Sequence, residues 1–295
     1  MSPRLRVATR GSDLARHQTD AVVARLGLDV DVVVVTTTGD RRTDVPIHTI
    51  GGTGVFVKEV QEAVLAGDAD FAVHSAKDLP SQTAPGLTLA AVPERGDPRD
   101  ALVGARLADL APGARVGTGS VRRRAQLAHA RPDLTFGELR GNIATRLAKA
   151  VDFDAVVVAA VALERLDLAG SIAERLDVEV LLPQVGQGAI AVECRADDDA
   201  TRTALATIDD TTAHTAVAAE RAFLARLGGG CDLPCGAHAT VGPDGIRLEV
   251  LLATLDGTRV LRARATGSDP VVVGDTAAHR LLDEQGGRAL LEESA

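Results

Sequence analysis

The chain has 295 residues, enough for about two domains of ordinary size, and is 45% hydrophobic and 25% charged, the balance of a globular protein with a substantial core. Its 32 Lys and Arg against 41 Asp and Glu give a net charge of −9, and with five Phe, no Tyr and no Trp it has neither the basic surface nor the stacking platforms that nucleic-acid binding uses. Apolar runs such as 155–163 fall far short of the ~20 residues of a membrane helix, MSPRLRVATR has no stretch resembling a signal peptide, and three cysteines are too few for a disulfide scaffold, so the expectation is a cytoplasmic protein with no membrane partner.

In chain order, short Val-rich runs alternate with stretches of helical spacing, which predicts α/β architecture with mainly parallel sheets. Strands are expected over 5–8, 30–36, 71–73, 87–92, 116–117, 134–138, 155–159 and 189–193. Helices are expected over 13–26, 56–66, 121–130, 143–151 and 213–227. Two turn-rich segments, 93–98 (PERGDP) and 183–188 (PQVGQG), read as connectors. The strand after Gly188 is placed back in the first domain, giving domain 1 as 1–93 plus about 189–208 and domain 2 as 99–183. After Thr211 come a helix, the loop GGGCDLPCG and two alternating runs joined near Asp256-Gly257, a hairpin signal, so 211–295 is a small α+β third domain.

Strand ends carry the informative residues. Thr9-Arg10-Gly11-Ser12 follows the first strand, His74-Ser75-Ala76-Lys77-Asp78 the third, Thr118-Gly119-Ser120-Val121-Arg122-Arg123-Arg124 the fifth, and Arg140-Gly141-Asn142, with Arg146, the sixth. In open α/β sheets ligands bind beyond the carboxyl ends of strands, where helix N-termini also attract anions. Ser12, Ser120 and Asn142 suit N-caps and ligand donors alike. One arginine after a strand is usually a solvated surface group. Four such loops in an acidic chain point to a ligand with several carboxylates or phosphates, which guanidinium forks match. Asp78 among these cations suits stabilisation of a positive centre, and read alone is equally a turn residue before Leu79-Pro80. No P-loop, complete dinucleotide fingerprint, H-E-x-x-H or zinc-type cysteine spacing occurs, so no metal is expected. Cys231 lies in a Gly-rich loop, and on this sequence alone a buried, inert thiol is the plainer reading.

Taken together, the motifs resemble the porphobilinogen deaminase (hydroxymethylbilane synthase) family. The resemblance is collinear over essentially the whole chain, through ATRGS (8–12), GGTGVFVKE (51–59), HSAKDLP (74–80), DPRDA (97–101), VGTGSVRRR (116–124), ELRGNIATRL (138–147), VGQGAIAVECR (185–195) and GGGCDLPCG (228–236). It implies three domains, two like the lobes of a type-II periplasmic binding protein around a cleft and a third bearing the cofactor cysteine. It implies a transferase that joins four porphobilinogen molecules head to tail, releasing ammonia and finally hydroxymethylbilane, for tetrapyrrole and haem biosynthesis. The chain grows on one dipyrromethane per protein, held as a thioether at the position of Cys231. By the same resemblance Asp78 is the catalytic carboxylate. Lys77, Arg122, Arg123, Ser75, Thr118, Ser120 and Arg146 hold the cofactor, and Arg10, Ser12, Gln18, Phe56, Arg140 and Arg165 hold the substrate. A loop at about 38–50 covers the cleft, and the protein is a monomer.

Several positions depart from the family pattern. Thr38 and Thr53 stand where basic residues are common, Gly11 and Gly119 replace larger residues, and Cys235 replaces an apolar residue four positions after Cys231. The first two remove positive charge near the lid. A solute-binding module and a thiol redox site are the other classes of reading. The first needs no cofactor cysteine, and the second favours CxxC at a helix start rather than CxxxC in a Gly/Pro loop.

Overall fold

The computed structural model describes residues 4–41, 54–228 and 233–294. Contacts divide the chain into two units, residues 1–96 with 188–214 and residues 97–187 with 215–295. The second unit therefore holds both the 99–183 and the 215–295 segments. Each unit is built on its own five-stranded sheet, and the second adds a three-stranded antiparallel sheet.

In unit 1, β1 (Leu5–Arg10) runs parallel to β2 (Val30–Val35) on one side and β3 (Phe71–Ser75) on the other. The helix Asp13–Leu26 makes the crossover between β1 and β2. Ser12 caps it by accepting the Ala15 N–H, and Gly27 ends it in the left-handed region at φ 63°, where its N–H reaches the Val23 carbonyl. The helix Lys58–Leu65 precedes β3 and buries Val60 and Val64 against the sheet with Ala8, Ala72 and Leu87. After β4 (Leu87–Ala91) the chain leaves, and β10 (Ile190–Arg195) returns to lie between β3 and β4, antiparallel to both. That antiparallel strand is a departure from a simple parallel sheet. It arises because the segment re-enters from the other unit rather than over a helix of its own.

Unit 2 repeats the pattern. There β6 (Arg115–Gly117) is parallel to β7 (Thr135–Gly137) and β8 (Ala155–Ala159), and β5 (Asp100–Val103) lies antiparallel between β8 and β9 (Ile172–Arg175). Sequence reading anticipates neither β5 nor β9. The first is three apolar residues behind a charged connector, and Ile172-Ala-Glu-Arg has no strand alternation. β8, Ala-Val-Val-Val-Ala, is buried at every position, as β-branched residues covered on both faces should be. The register has a consequence for the site: Asp100, first residue of β5, pairs with Ala159, last residue of β8, so it stands at the carboxyl ends of the parallel strands.

The C-terminal sheet is a meander of β11 (Cys235–Gly242), β12 (Gly245–Ala253) and β13 (Val260–Gly267), three strands rather than the two alternating runs expected. Helices Thr211–Leu227 and Pro270–His279 cover it, burying Phe223, Leu248, Val250 and Ala277 in one core. Gly257, in the turn between β12 and β13, is at φ 74°, and any Cβ there would lie 2.2 Å from the Ala125 carbonyl oxygen. Glycine is thus required where this sheet meets the helix Val121–Ala130, and His129 Nδ1 bonds the Gly257 carbonyl at 3.0 Å.

Candidate functional site

In unit 1 the carboxyl ends of β1 and β3 present Arg10 and Asp78 side by side, with Arg10 Nη1 3.8 Å from Asp78 Oδ2. Asp78 closes a short helical turn, Ala76–Asp78, set by the Leu79 N–H bonding the Ala76 carbonyl. The guanidinium of Arg10 lies over the Phe56 ring at 4.3 Å from its centroid, a cation–π contact. It also forms a bidentate pair with Asp40 through Nε at 3.2 Å and Nη2 at 2.5 Å. Asp40 is the functional candidate that sequence reading misses. Its one signal was an acid two residues after Thr38, in a segment read only as lid.

Beneath this cluster Gln18, 2% exposed, exchanges hydrogen bonds at 3.0 Å with the Ser75 hydroxyl, so the two polar residues expected to support the site do meet. Ser12 serves the helix as its N-cap. Lys77 is half-buried beside Asp78 in sequence. One layer deeper, His74 Nε2 lies 3.2 Å from Glu193 Oε2, both buried, and Gln61 donates to the same oxygen at 2.8 Å. This ties β10 and the helix Lys58–Leu65 to β3, the strand that leads into the turn bearing Asp78. Thr38, where a basic residue is common, instead donates its N–H and hydroxyl to Glu59 at 2.7 and 2.6 Å. The rest of the expected lid, with Thr53, lies outside the described residues.

In unit 2 the arginines at the start of the helix Val121–Ala130 are not open forks. Arg122 Nη2 donates to Asp100 Oδ2 at 2.7 Å, and Arg123 donates to Oδ1 through Nε at 3.0 Å and Nη2 at 2.7 Å. Arg122 Nη1 also reaches the Leu182 carbonyl, Arg123 Nη1 the Val157 carbonyl, and Gln187 Nε2 a carboxylate oxygen of Asp100. All three charged groups are buried. Burial pushes the Asp100 carboxyl up, but the two guanidinium charges outweigh it and bring it down to about 2. Burial, opposed by Asp100, lowers the Arg122 guanidinium. The reason for the difference from freely presented clamps is the register noted above: β5 delivers a carboxylate to the point where the helix delivers two cations.

Two arginines on one carboxylate leave one positive charge in excess, and Arg122 Nε is buried with no hydrogen-bond partner among the described residues. The same is true of Arg140 Nη1. Orphaned buried donors are costly unless an acceptor reaches them, so this region fits a ligand with several carboxylates, as a dipyrromethane with acetate and propionate side chains is. Thr118 and Ser120 shape the same loop: Thr118 Oγ1 accepts the Ser120 N–H, and Ser120 Oγ the Arg123 N–H. A Cβ at Gly119 would sit 2.8 Å from the Leu139 carbonyl oxygen, so the loop as packed here leaves no room for a larger residue. Arg146 Nε bonds the Gly141 carbonyl at 2.8 Å. Burial pushes the Arg165 guanidinium down to about 10, against the favourable pull of Glu164.

Cys231 lies outside the described residues. Cys235 begins β11, 6% exposed, packed in the core of the C-terminal sheet.

The chain matches two family models, porphobilinogen deaminase, dipyrromethane cofactor binding domain, over residues 5–203, and porphobilinogen deaminase, C-terminal domain, over residues 214–283. It is 52% identical to a porphobilinogen deaminase of Roseiflexus sp. (strain RS-1), covering 99% of each chain. Against those of Roseiflexus castenholzii and Syntrophotalea carbinolica it is 50% and 47% identical, covering 99% and 96% of this chain and 99% and 92% of theirs.

Proposed function

The chain belongs to the porphobilinogen deaminase family, and from that membership we propose which of its residues do the work. The protein is a transferase that joins four molecules of porphobilinogen head to tail, with loss of ammonia, on a covalent dipyrromethane and releases hydroxymethylbilane. The dipyrromethane, when bound, supplies the pyrrole carbon from which the chain extends. Cys231 holds it through sulfur. Arg122, Arg123 and Arg146 meet its carboxylates, with Lys77, Ser75, Thr118 and Ser120 as polar support. Ser12, Gln18, Phe56, Arg140 and Arg165 belong with Arg10 on the substrate side.

Ammonia leaves porphobilinogen when the aminomethyl C–N bond breaks with its electron pair, and the pyrrole is left as a cationic methylene species. Asp78 is the group placed to oppose that charge, as a preorganised carboxylate opposes any developing cation. Arg10, held over Phe56, takes a side-chain carboxylate of the incoming pyrrole. The observation that carries this reading is the separation of roles. Asp78, with only a 3.8 Å contact to Arg10, remains a usable anion in unit 1, whereas unit 2 holds excess positive charge and the orphaned Arg140 Nη1.

We further take the protein to be a cytoplasmic monomer in three domains, 1–93 with about 189–208, 99–183, and 211–295. The buried Cys194 thiol suits a reducing compartment. Among the described residues no helix is long and apolar enough to cross a membrane, and the charge of −9 disfavours nucleic acid.

The wild-type protein given porphobilinogen should release ammonia and form product that oxidises to uroporphyrin. Arg140→Leu should lose most of that activity or fail to load cofactor, since a desolvated carboxylate deprived of its guanidinium costs ~2–5 kcal/mol. Arg25→Leu, at an exposed residue paired among the described residues only with exposed Glu94, should be unaffected. Equal, mild effects at both positions contradict the clamp.

A further inference from the structure

Arg10 stands 3.8 Å from the carboxylate that opposes the cationic pyrrole, and both side chains are about three-quarters shielded from water, 21% and 27% exposed. A guanidinium there competes with the reaction's own cation for Asp78. Asp40 alters that competition. Its two oxygens take the Nε/Nη2 edge of Arg10, leaving Nη1 as the atom nearest Asp78. Thr37 fixes Asp40 in turn, donating its N–H at 3.2 Å and its hydroxyl at 2.7 Å to Oδ2. Burial raises the Asp40 carboxyl, but the hydrogen bonds from Arg10 and Thr37 outweigh it and hold it below the usual carboxylate range, so it is charged at neutral pH. Gly39 completes the assembly: a Cβ there would lie 2.2 Å from the Phe56 ring, so the turn bearing Asp40 packs directly on the ring that Arg10 covers.

We propose that Asp40 is a positioning residue that neutralises Arg10 and thereby leaves the Arg10–Asp40–Asp78 cluster one net negative charge, centred on Asp78. The inference rests on the role given above to Asp78. Arg10 remains able to hold a substrate carboxylate through its Nη1 side, while its charge no longer quenches the catalytic anion. Without Asp40 the cluster is neutral, and among the described residues the nearest carboxylate for Arg10 to close upon is Asp78 itself.

The test is kcat and KM for porphobilinogen in four holoenzyme variants, Asp40→Asn, Asp40→Glu, Arg10→Gln and the double variant Asp40→Asn with Arg10→Gln. Rates are taken per cofactor-loaded protein, counted with Ehrlich's reagent. Asp40→Asn should lower kcat by about 10- to 100-fold, less than the ~10²-fold or more that follows removal of a preorganised group itself because Asp40 acts through Arg10, with KM moving only a few-fold. Asp40→Glu, which keeps the charge, should remain within a few-fold of wild type in kcat. Arg10→Gln should raise KM and spare kcat. The double variant regains the net negative charge and should turn over about tenfold faster than Asp40→Asn, with the raised KM of Arg10→Gln. A purely structural Asp40 would not be rescued by deleting a second side chain, so a double variant no faster than Asp40→Asn overturns the proposal. So does wild-type kcat in Asp40→Asn. Should Asp40→Asn not fold, Arg10→Gln still decides: a kcat loss as large as its KM effect overturns the proposal. Failure of the underlying reading is separate, and appears as near-wild-type kcat in Asp78→Asn.

Discussion

Asp78→Asn is expected to leave a folded protein that makes almost no product. The substitution keeps the shape of a side chain 27% exposed at the end of a short turn, whose one ion pair among the described residues is the 3.8 Å approach of Arg10, so little stability is at risk. What it removes is the charge opposed to the cationic pyrrole formed when ammonia leaves. Losses of ~10²-fold or more accompany removal of one preorganised electrostatic group. Uroporphyrin absorbance after oxidation reads the product, and formation within a few-fold of wild type would remove Asp78 from the reaction.

The second large effect falls on stability. Asp100→Asn leaves Arg122 and Arg123 buried with no anion between them, and breaking a buried pair from one side costs about 3–5 kcal/mol. The urea midpoint should fall accordingly. The wild-type protein should also show the acid signature of this carboxylate. Its folded-state pKa lies near 2, below the ~3.9 of an unfolded aspartate, so its contribution is fully present above about pH 4 and fades as pH falls toward 2. Asp100→Asn should lack that component of the acid unfolding curve. Superimposable urea and acid curves for the two proteins would show the cluster to be energetically idle.

The strand-end logic was legible from the residues. Buried Val-rich runs, Ser12, Ser120 and Asn142 before three of the helices and cations after four of the strands place Arg10, Asp78, Arg122 and Arg140 at carboxyl ends. Two things were not legible. Asp100 and Asp40 both owe their importance to partners distant in sequence, Asp100 through the antiparallel register of β5 against β8 and Asp40 through the fork of Arg10. Local periodicity carries no information on either. Nor did it reveal that the two five-stranded sheets share one pattern, because the strand that completes each arrives from the other side of a connector and the sequences of the two copies do not repeat.

The two thiols of GGGCDLPCG differ in a way the structure sharpens. Cys235 begins a core strand and pairs in register with Leu252, which leaves a bulky pyrrole pair no room at its sulfur. Cys231 follows three glycines and is the attachment residue proposed above. Intact-mass spectrometry of the purified wild type, Cys231→Ser and Cys235→Ser therefore tests the central claim most directly. The account predicts a dipyrromethane adduct on the wild type and on Cys235→Ser, and none on Cys231→Ser. A wild-type protein without the adduct under conditions where it turns over porphobilinogen, or an adduct that persists in Cys231→Ser and vanishes in Cys235→Ser, would contradict it.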